Sequence, residues 1–392
     1  MPIEPIVITA AKRTPLGAFQ GTLSGASAPQ LSATASRQCI ADSGIDPAGI
    51  SEVILGCVLP AALGQAPARQ AALAAGLPKA IPCTTINKVC GSGLKAAMLG
   101  HDLIRAGSAK VVLAGGMESM SNAPYLMPKA RSGYRMGHQE VLDHMFFDGL
   151  QNPYDGNMMG HFAELTADKY TFTRQQQDDF AIASVTRARD AVANGRFGDE
   201  IAPVTIKTRK GEITVSEDEG PGKASIEKIP GLRPAFRKDG TVTAASSSSI
   251  SDGAASVLLM GKSDADDGGM SILATVVGHS AFAQEPEWFT TSPVYAIKSL
   301  LQQLDWSVAS IDLFEVNEAF ACVTMAAMHD LGIEHDKVNV NGGACALGHP
   351  IGATGARILV TLIHALRNRG GGRGVASLCI GGGEAVAVGI EV

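Results

Sequence analysis

The sequence predicts an α/β protein built from two similar halves, with an irregular segment inserted into the first. Three observations carry this. Short β-branched runs alternate with helical stretches, which implies parallel sheets covered by helices. The order of these runs occurs twice along the chain. Residues 120–240 break the rhythm, first with SNAPYLMPKARSGYRMGHQEV, rich in Pro, Met and Gly, and later with the polar run KTRKGEITVSEDEGPGKASIEK.

Taken in order, Ile6-Val7-Ile8 reads as a strand, residues 31–41 as a helix, and DSGIDPAGISEVILGCV as a loop running into a strand. In the second half, residues 272–277 read as a strand and 293–304 as a helix. LDWSVASIDLFEVNEAF is then the matching loop and strand, with Ile311 standing where Ile50 stands. Each half continues with a glycine-rich turn and a helix, CGSGLKAAMLGHDLIRAG in one and GHPIGATGARILVTLIHALRNRG in the other. Each also contains a strand that breaks into glycines, AKVVLAGGMES at 109–119 and RGVASLCIGGGEA at 373–385. Within the insertion, Thr173 reads as the N-cap of a helix over 174–194, with Phe180, Ile182, Ala183 and Val185 on its apolar side. The expected division is 1–119 with 241–262, then 120–240 as the insertion, then 271–392. Insertions of this size in α/β enzymes usually carry substrate contacts.

Composition narrows the function. The 392 residues are 45% hydrophobic and 18% charged, which marks a globular chain with room for a large core. A net charge of −6 argues against nucleic acid as a partner, although a local basic surface can still hold an anionic small molecule. MPIEPIVITAAKRTP lacks the build of a secretory signal, no apolar run reaches the length of a membrane span, and GIEV is not a sorting address. The cysteines at 39, 57, 83, 90, 322, 345 and 379 form no C-x-x-C pair, so reduced thiols in the cytoplasm are expected.

Four segments carry chemistry. Cys90 lies in NKVCGSG, just before a helical pattern, where unpaired N–H groups and the helix dipole favour thiolate. GSGLKA also fits a dinucleotide fingerprint, but polar Asn87-Lys88 precede it and no acidic residue follows at the usual distance. His349 lies in the glycine-rich NGGACALGHPIG, before a proline that holds it extended. In Cys379-Ile380-Gly381-Gly382-Gly383 a strand ends in free N–H groups suited to an oxyanion. Val316-Asn317-Glu318-Ala319-Phe320 places two polar residues at a strand-to-helix junction, and by itself reads as a helix cap.

Together, NKVCGSG, TVTAASSSSISDGAAS, EVNEAFA, NGGACALGHPIGATGAR and CIGGG, in this order and spacing, resemble the thiolase family over essentially the whole chain. The resemblance implies duplicated halves in a layered α-β-α-β-α core, with an inserted loop domain that covers coenzyme A. It implies Cys90 as the acyl-accepting nucleophile and His349 as the acceptor of its proton. Cys379 would be the acid/base at the α-carbon, and Asn317 would hold a water that forms one oxyanion hole with His349. The N–H groups of Cys90 and Gly381 would form the other. Leu150, Met159, Ser248, Ala319 and Phe320 would line the pantetheine arm. The nucleotide would lie over Lys207, Arg209, Lys210, Lys223, Arg233, Arg237 and Lys238, charges interleaved with Glu217, Asp218 and Glu219.

The implied reaction is reversible Claisen condensation of two acetyl-CoA through an acyl-Cys90, in lipid metabolism. It needs no metal or organic redox cofactor, coenzyme A being substrate and product. Partners would be acyl-CoA and further copies of the chain, as dimer or tetramer, without nucleic acid or membrane. Two other functions compete: a 3-ketoacyl-CoA thiolase for longer chains, and a non-catalytic acyl-CoA- or lipid-binding relative. Departures from the family pattern are Met158 where His is usual, Ser246 for Asn, Lys88 for Arg, and Glu384-Ala385 where small residues are usual. Met158 lies beside the expected acyl and pantetheine pocket and so weakens the acetoacetyl-CoA assignment.

Overall fold

A computed structural model describes residues 4–209 and 211–392; Lys210, named above for the nucleotide surface, lies outside the described residues. Nine strands form one continuous hydrogen-bonded path: β1 (Ile6–Arg13), β2 (Glu52–Gly56), β3 (Cys83–Ile86), β4 (Val111–Ser119), β5 (Ser251–Gly261), β6 (Ala274–Ala283), β7 (Leu313–Val316), β8 (Arg373–Ile380) and β9 (Glu384–Glu391). Their order is β7-β8-β9-β6-β1-β5-β4-β2-β3.

The repeat is visible in that order. In the first half β2 runs parallel to β4, β5 returns antiparallel beside β4, and β1 lies antiparallel beside β5. In the second half β7 is parallel to β8, β9 returns antiparallel, and β6 lies antiparallel beside β9. The halves join where β1 pairs β6, with Ile8 opposite Ala274. Ile50 and Ile311 follow equivalent 3₁₀ turns and are both buried, at 2% and 0% exposure. The sheets are therefore mixed rather than parallel. Buried antiparallel strands such as β5, with all eleven residues inside, show no more in-out alternation than a parallel strand, so direction is not written in the pattern.

The halves differ in one connection. Between β8 and β9 the chain turns through Gly381–Gly383, whereas between β4 and β5 it leaves at Ser119 and returns at Ser251. That excursion contains the helix Arg174–Ala193, capped by Thr173 in a reciprocal box with Gln176. Its buried stripe is Gln177, Phe180, Ala181, Ser184, Val185 and Ala188, and Ile182 and Ala183 flank it half-buried, as the 3.6-residue period requires. Asp218 is not part of a solvated run. It is buried and takes both terminal nitrogens of buried Arg13 at 2.7 and 2.9 Å.

Layering follows from hydrophobicity. The helix Ile351–Arg367 is buried at every position from Ile351 through Leu366, so it must be covered on all sides. It packs against the helix Ser92–Arg105, and the pair touches strands of both halves. Ala28–Ser43 and Pro67–Ala74 cover the outer face of one half; Ser292–Leu304 and Ala321–Leu331 cover the other. The result is the expected α-β-α-β-α stack. Among the described residues no helix is long and apolar enough to cross a membrane.

Candidate active site

Cys90 stands at the start of the central helix pair, on a turn built by its neighbours. Val89 N–H donates to Asn87 Oδ1 at 2.8 Å, Lys88 N–H to Ser92 Oγ at 2.8 Å, and the Ser92 hydroxyl to the Val89 carbonyl at 2.7 Å. These bonds hold Val89 at φ +46°, a left-handed conformation costly for a β-branched residue and therefore informative. A Cβ at Gly91 would meet Ile380 Cδ1 at 2.4 Å, so any larger residue there must displace the Ile380 side chain. This contact presses the nucleophile turn of the first half against the strand end of the second.

The residue Cys90 is half-buried, but its sulfur lies among protein atoms. Burial pushes the thiol up to about 11, while the N–H groups of Gly381 and of Cys90 itself act in the opposite direction. The helix-start argument for a resting thiolate is thereby corrected. The donors are in place, but desolvation outweighs them. Iodoacetamide alkylation of Cys90 should therefore climb with pH through 7 to 9 without levelling, followed on the Cys90 peptide; a plateau near pH 7 would contradict this.

His349 is the candidate for the base that such a thiol needs. Gly348, at φ +110°, turns the chain into it, and the His349 N–H donates to the Ser249 carbonyl at 3.0 Å. Thr354 Oγ1 donates to the Pro350 carbonyl at 2.9 Å, so it receives the Nδ1–H of His349, 2.7 Å away. The proton is thus assigned to Nδ1, which leaves Nε2 as a buried lone pair with no protein partner. Burial, helped by the charge of Arg357, lowers His349 to about 3, so the ring is neutral at rest.

Asn317 follows β7 and its N–H bonds the Ser377 carbonyl at 3.0 Å, two residues before Cys379 on β8. Asn317 is 1% exposed, and both atoms of its amide lack protein partners. The helix-cap reading of this segment fails. The next helix begins at Ala321, and Glu318 instead receives Ser184 Oγ at 2.7 Å, Asn339 Nδ2 at 2.9 Å and Cys345 N–H at 3.0 Å. Cys379 is fully buried among Ala319, Phe320, Phe289 and Met159, and burial together with nearby Cys90 raises it well above an ordinary thiol.

His349 opens on an apolar cavity of about 180 Å³ lined also by Leu150, Met158, Met159, Ser248 and Phe320, while Cys90 packs against Met120 and Ile351 of its wall and Cys379 against Phe320 and Met159. Ala319 lies just behind the wall, its carbonyl accepting the Ser248 N–H at 3.0 Å. The basic surface is less uniform than its sequence. Lys223 pairs with Glu219 at 2.5 Å and Arg237 with Asp168 at 2.7 Å, whereas Lys207, Arg209, Arg233 and Lys238 are exposed.

Glu118, which sequence reasoning passed over, ends β4 fully buried. It accepts the N–H groups of Val58, Leu59 and Gly352 at 3.0, 3.1 and 2.9 Å, and burial raises it to about 7. It fixes the start of the helix that follows His349. Its one sequence signal is an acid closing the glycine strand AGGMES. Thr354, which sets the histidine tautomer, was equally silent.

Comparison with known proteins agrees with this geometry. Residues 6–263 match the thiolase N-terminal domain and residues 270–392 the thiolase C-terminal domain. The chain belongs to the thiolase family. It is 49% identical over 388 residues to the acetyl-CoA acetyltransferase of Pseudomonas aeruginosa, covering 98% of this chain and 99% of that one. It is 48% identical to the Chromobacterium violaceum acetyl-CoA acetyltransferase over the same shares. The crystal structure of the Bacillus anthracis acetyl-CoA acetyltransferase superposes with a TM-score of 0.97 at 42% identity, covering 99% of each chain. An Ascaris suum thiolase solved with coenzyme A gives 0.94 at 41%, covering 99% of this chain and all of the other.

Two departures from the thiolase pattern now have surroundings. Ser246 is buried and closes a reciprocal turn with Thr243, accepting its N–H at 2.9 Å. Met158 lines the cavity beside Met159, which makes that wall apolar where an imidazole is usual.

Proposed function

We propose that this thiolase interconverts two acetyl-CoA with acetoacetyl-CoA and CoA through an acetyl-Cys90 intermediate. The observation that carries this is the meeting of two thiols, Cys90 and Cys379, with three buried polar atoms that have no protein partner: His349 Nε2 and both amide atoms of Asn317. Most buried polar atoms in folded proteins are paired.

Cys90 sulfur attacks the thioester carbonyl and its proton passes to His349 Nε2. The tetrahedral oxyanion collapses, and the departing CoA sulfur takes that proton from the imidazolium. Cys379 then passes its own proton to the freed Nε2, so that the enzyme holds acetyl-Cys90, an imidazolium and a Cys379 thiolate. Burial disfavours each ion separately, but the pair is neutral overall and attracts. The thiolate removes an α-proton from the second acetyl-CoA, and the enolate attacks the acetyl carbonyl. Cys90 leaves and recovers its proton from His349. Once protonated, Nε2 is a donor and, with a water on Asn317, faces one oxyanion; the N–H groups of Cys90 and Gly381 face the other.

The pantetheine arm occupies the channel of Leu150, Met159, Ser248 and Phe320, with Ala319 presenting its backbone. The nucleotide meets the exposed cations of 207–238, and Lys223 joins them only by exchanging its Glu219 partner. Residues 1–119 with 241–262, 120–240 and 271–392 are the corresponding units. The same reading has the enzyme in the cytoplasm, in lipid metabolism, as a dimer or tetramer. Support for assembly comes from the edge strand β3, whose residues are exposed or half-buried.

The relatives' names favour acetyl transfer, whereas Met158 favours a larger apolar acyl group. Thiolysis of 3-ketoacyl-CoA from four to twelve carbons separates them. The account expects kcat/KM to be greatest at four carbons; a steep rise beyond that would overturn acetyl specificity and leave the thiolase chemistry standing.

A further inference from the structure

Two departures from the family pattern touch each other. Lys88 Nζ forms an ion pair with Glu384 across the two halves of the molecule. Lys88 is two residues before Cys90 and Glu384 directly follows Gly381–Gly383. We propose that Lys88 and Glu384 are positioning residues that set the separation between the Cys90 sulfur and the Gly381 N–H. This rests on the roles given to Cys90 and Gly381 above.

Both ends of the pair are held by backbone. Lys88 donates its N–H to Ser92 Oγ at 2.8 Å, and its carbonyl accepts the Gly91 N–H at 3.0 Å. On the other side, the Gly383 carbonyl accepts Gln284 N–H at 2.9 Å and Ser292 Oγ at 3.0 Å. Between these anchors lie Gly382 and Gly383, at φ +95° and +93°, a turn without side chains of its own to stiffen it. The Gly381 N–H that faces Cys90 is therefore positioned from one side by β8 and from the other by Glu384. The two side chains are 26% and 38% exposed, so the pair adds little to stability. Its contribution is geometric.

Glu384 also stands on the wall of a second cavity, of about 560 Å³, shared with Val89, Met159, Gly381 and Gly382. A carboxylate left without its ammonium there would face the place where an oxyanion forms. Loss of Lys88 should consequently cost more than loss of Glu384.

The test uses charge reversal in the full-length enzyme. K88E and E384K should each lower condensation kcat about tenfold, with KM nearly unchanged, because small misplacement of reacting groups is costly. K88E/E384K should recover to within about threefold of wild type, the signature of direct coupling. K88Q should lose more kcat than E384Q, with thermal midpoints of both near wild type. Single reversals as active as wild type, or a double variant no better than the worse single one, would overturn the proposal. Cys90→Ala assayed in parallel separates the two ideas. Turnover by that variant would overturn the acyl-thiol reading, whereas its inactivity beside unaffected reversals removes the clamp alone.

Discussion

Cys379→Ser should still accept an acetyl group from acetyl-CoA onto Cys90 but lose condensation and thiolysis by about 10²–10⁴, the range for removal of a general acid/base. The reason is a division of labour between two sulfurs of different surroundings. Cys90 is half-buried and flanked by the N–H groups of Gly381 and itself. Cys379 is fully buried among Phe289, Ala319, Phe320 and Met159. A serine there keeps the shape but is far too weak an acid and base to exchange a proton with an α-carbon near neutrality. Stopped-flow release of CoA and steady-state thiolysis, measured on the same preparation, read the two steps separately. Equal loss of both would contradict the division.

His349→Ala should lower the rate of Cys90 acylation by about 10²–10⁴, again a general-base effect. The thiol, held up near 11, is protonated at neutral pH, so it depends on an acceptor for its proton. His349 lines the apolar cavity, and its Nε2 is a buried lone pair, unprotonated down to about pH 3. The sign matters here. A lowered imidazole pKa keeps the base available across the acidic range, so wild-type acylation should show no loss of a histidine base near pH 6.5. Raising the pH should partly restore His349→Ala, as hydroxide comes to ionise the thiol directly. Acylation by His349→Ala at wild-type rate would exclude it as the base. Thr354→Val, which removes the acceptor that holds the Nδ1–H, should weaken the same step to a lesser degree.

Much of the fold was legible because the chain is duplicated. Ile50 and Ile311 occur at equivalent distances from their strands, and glycine strands end both halves, so each copy supports the other. Strand direction was not legible, since β5 and β9 are buried on both faces and carry no alternation. The nucleophile, the histidine and the second cysteine were visible because each interrupts a glycine-rich run, where a side chain has little other reason to be. Glu118, Thr354 and the Lys88–Glu384 pair were not. Each acts through a partner more than two hundred residues away or through a tautomer, and neither leaves a spacing in the sequence. Asp218 shows the converse. It lies in a run of acidic residues, yet it is buried against Arg13, and the partner that neutralises it lies far away on β1.

The central claim is that the acetyl group resides on Cys90 while Cys379 handles the proton. The most direct measurement is peptide mass spectrometry of Cys379→Ser after brief exposure to acetyl-CoA, since blocking the second step lets the first product accumulate. The account predicts one acetyl group per chain, on the peptide that contains Cys90 and no other. An unmodified Cys90 peptide, or acetyl found on another of the cysteines, would contradict it.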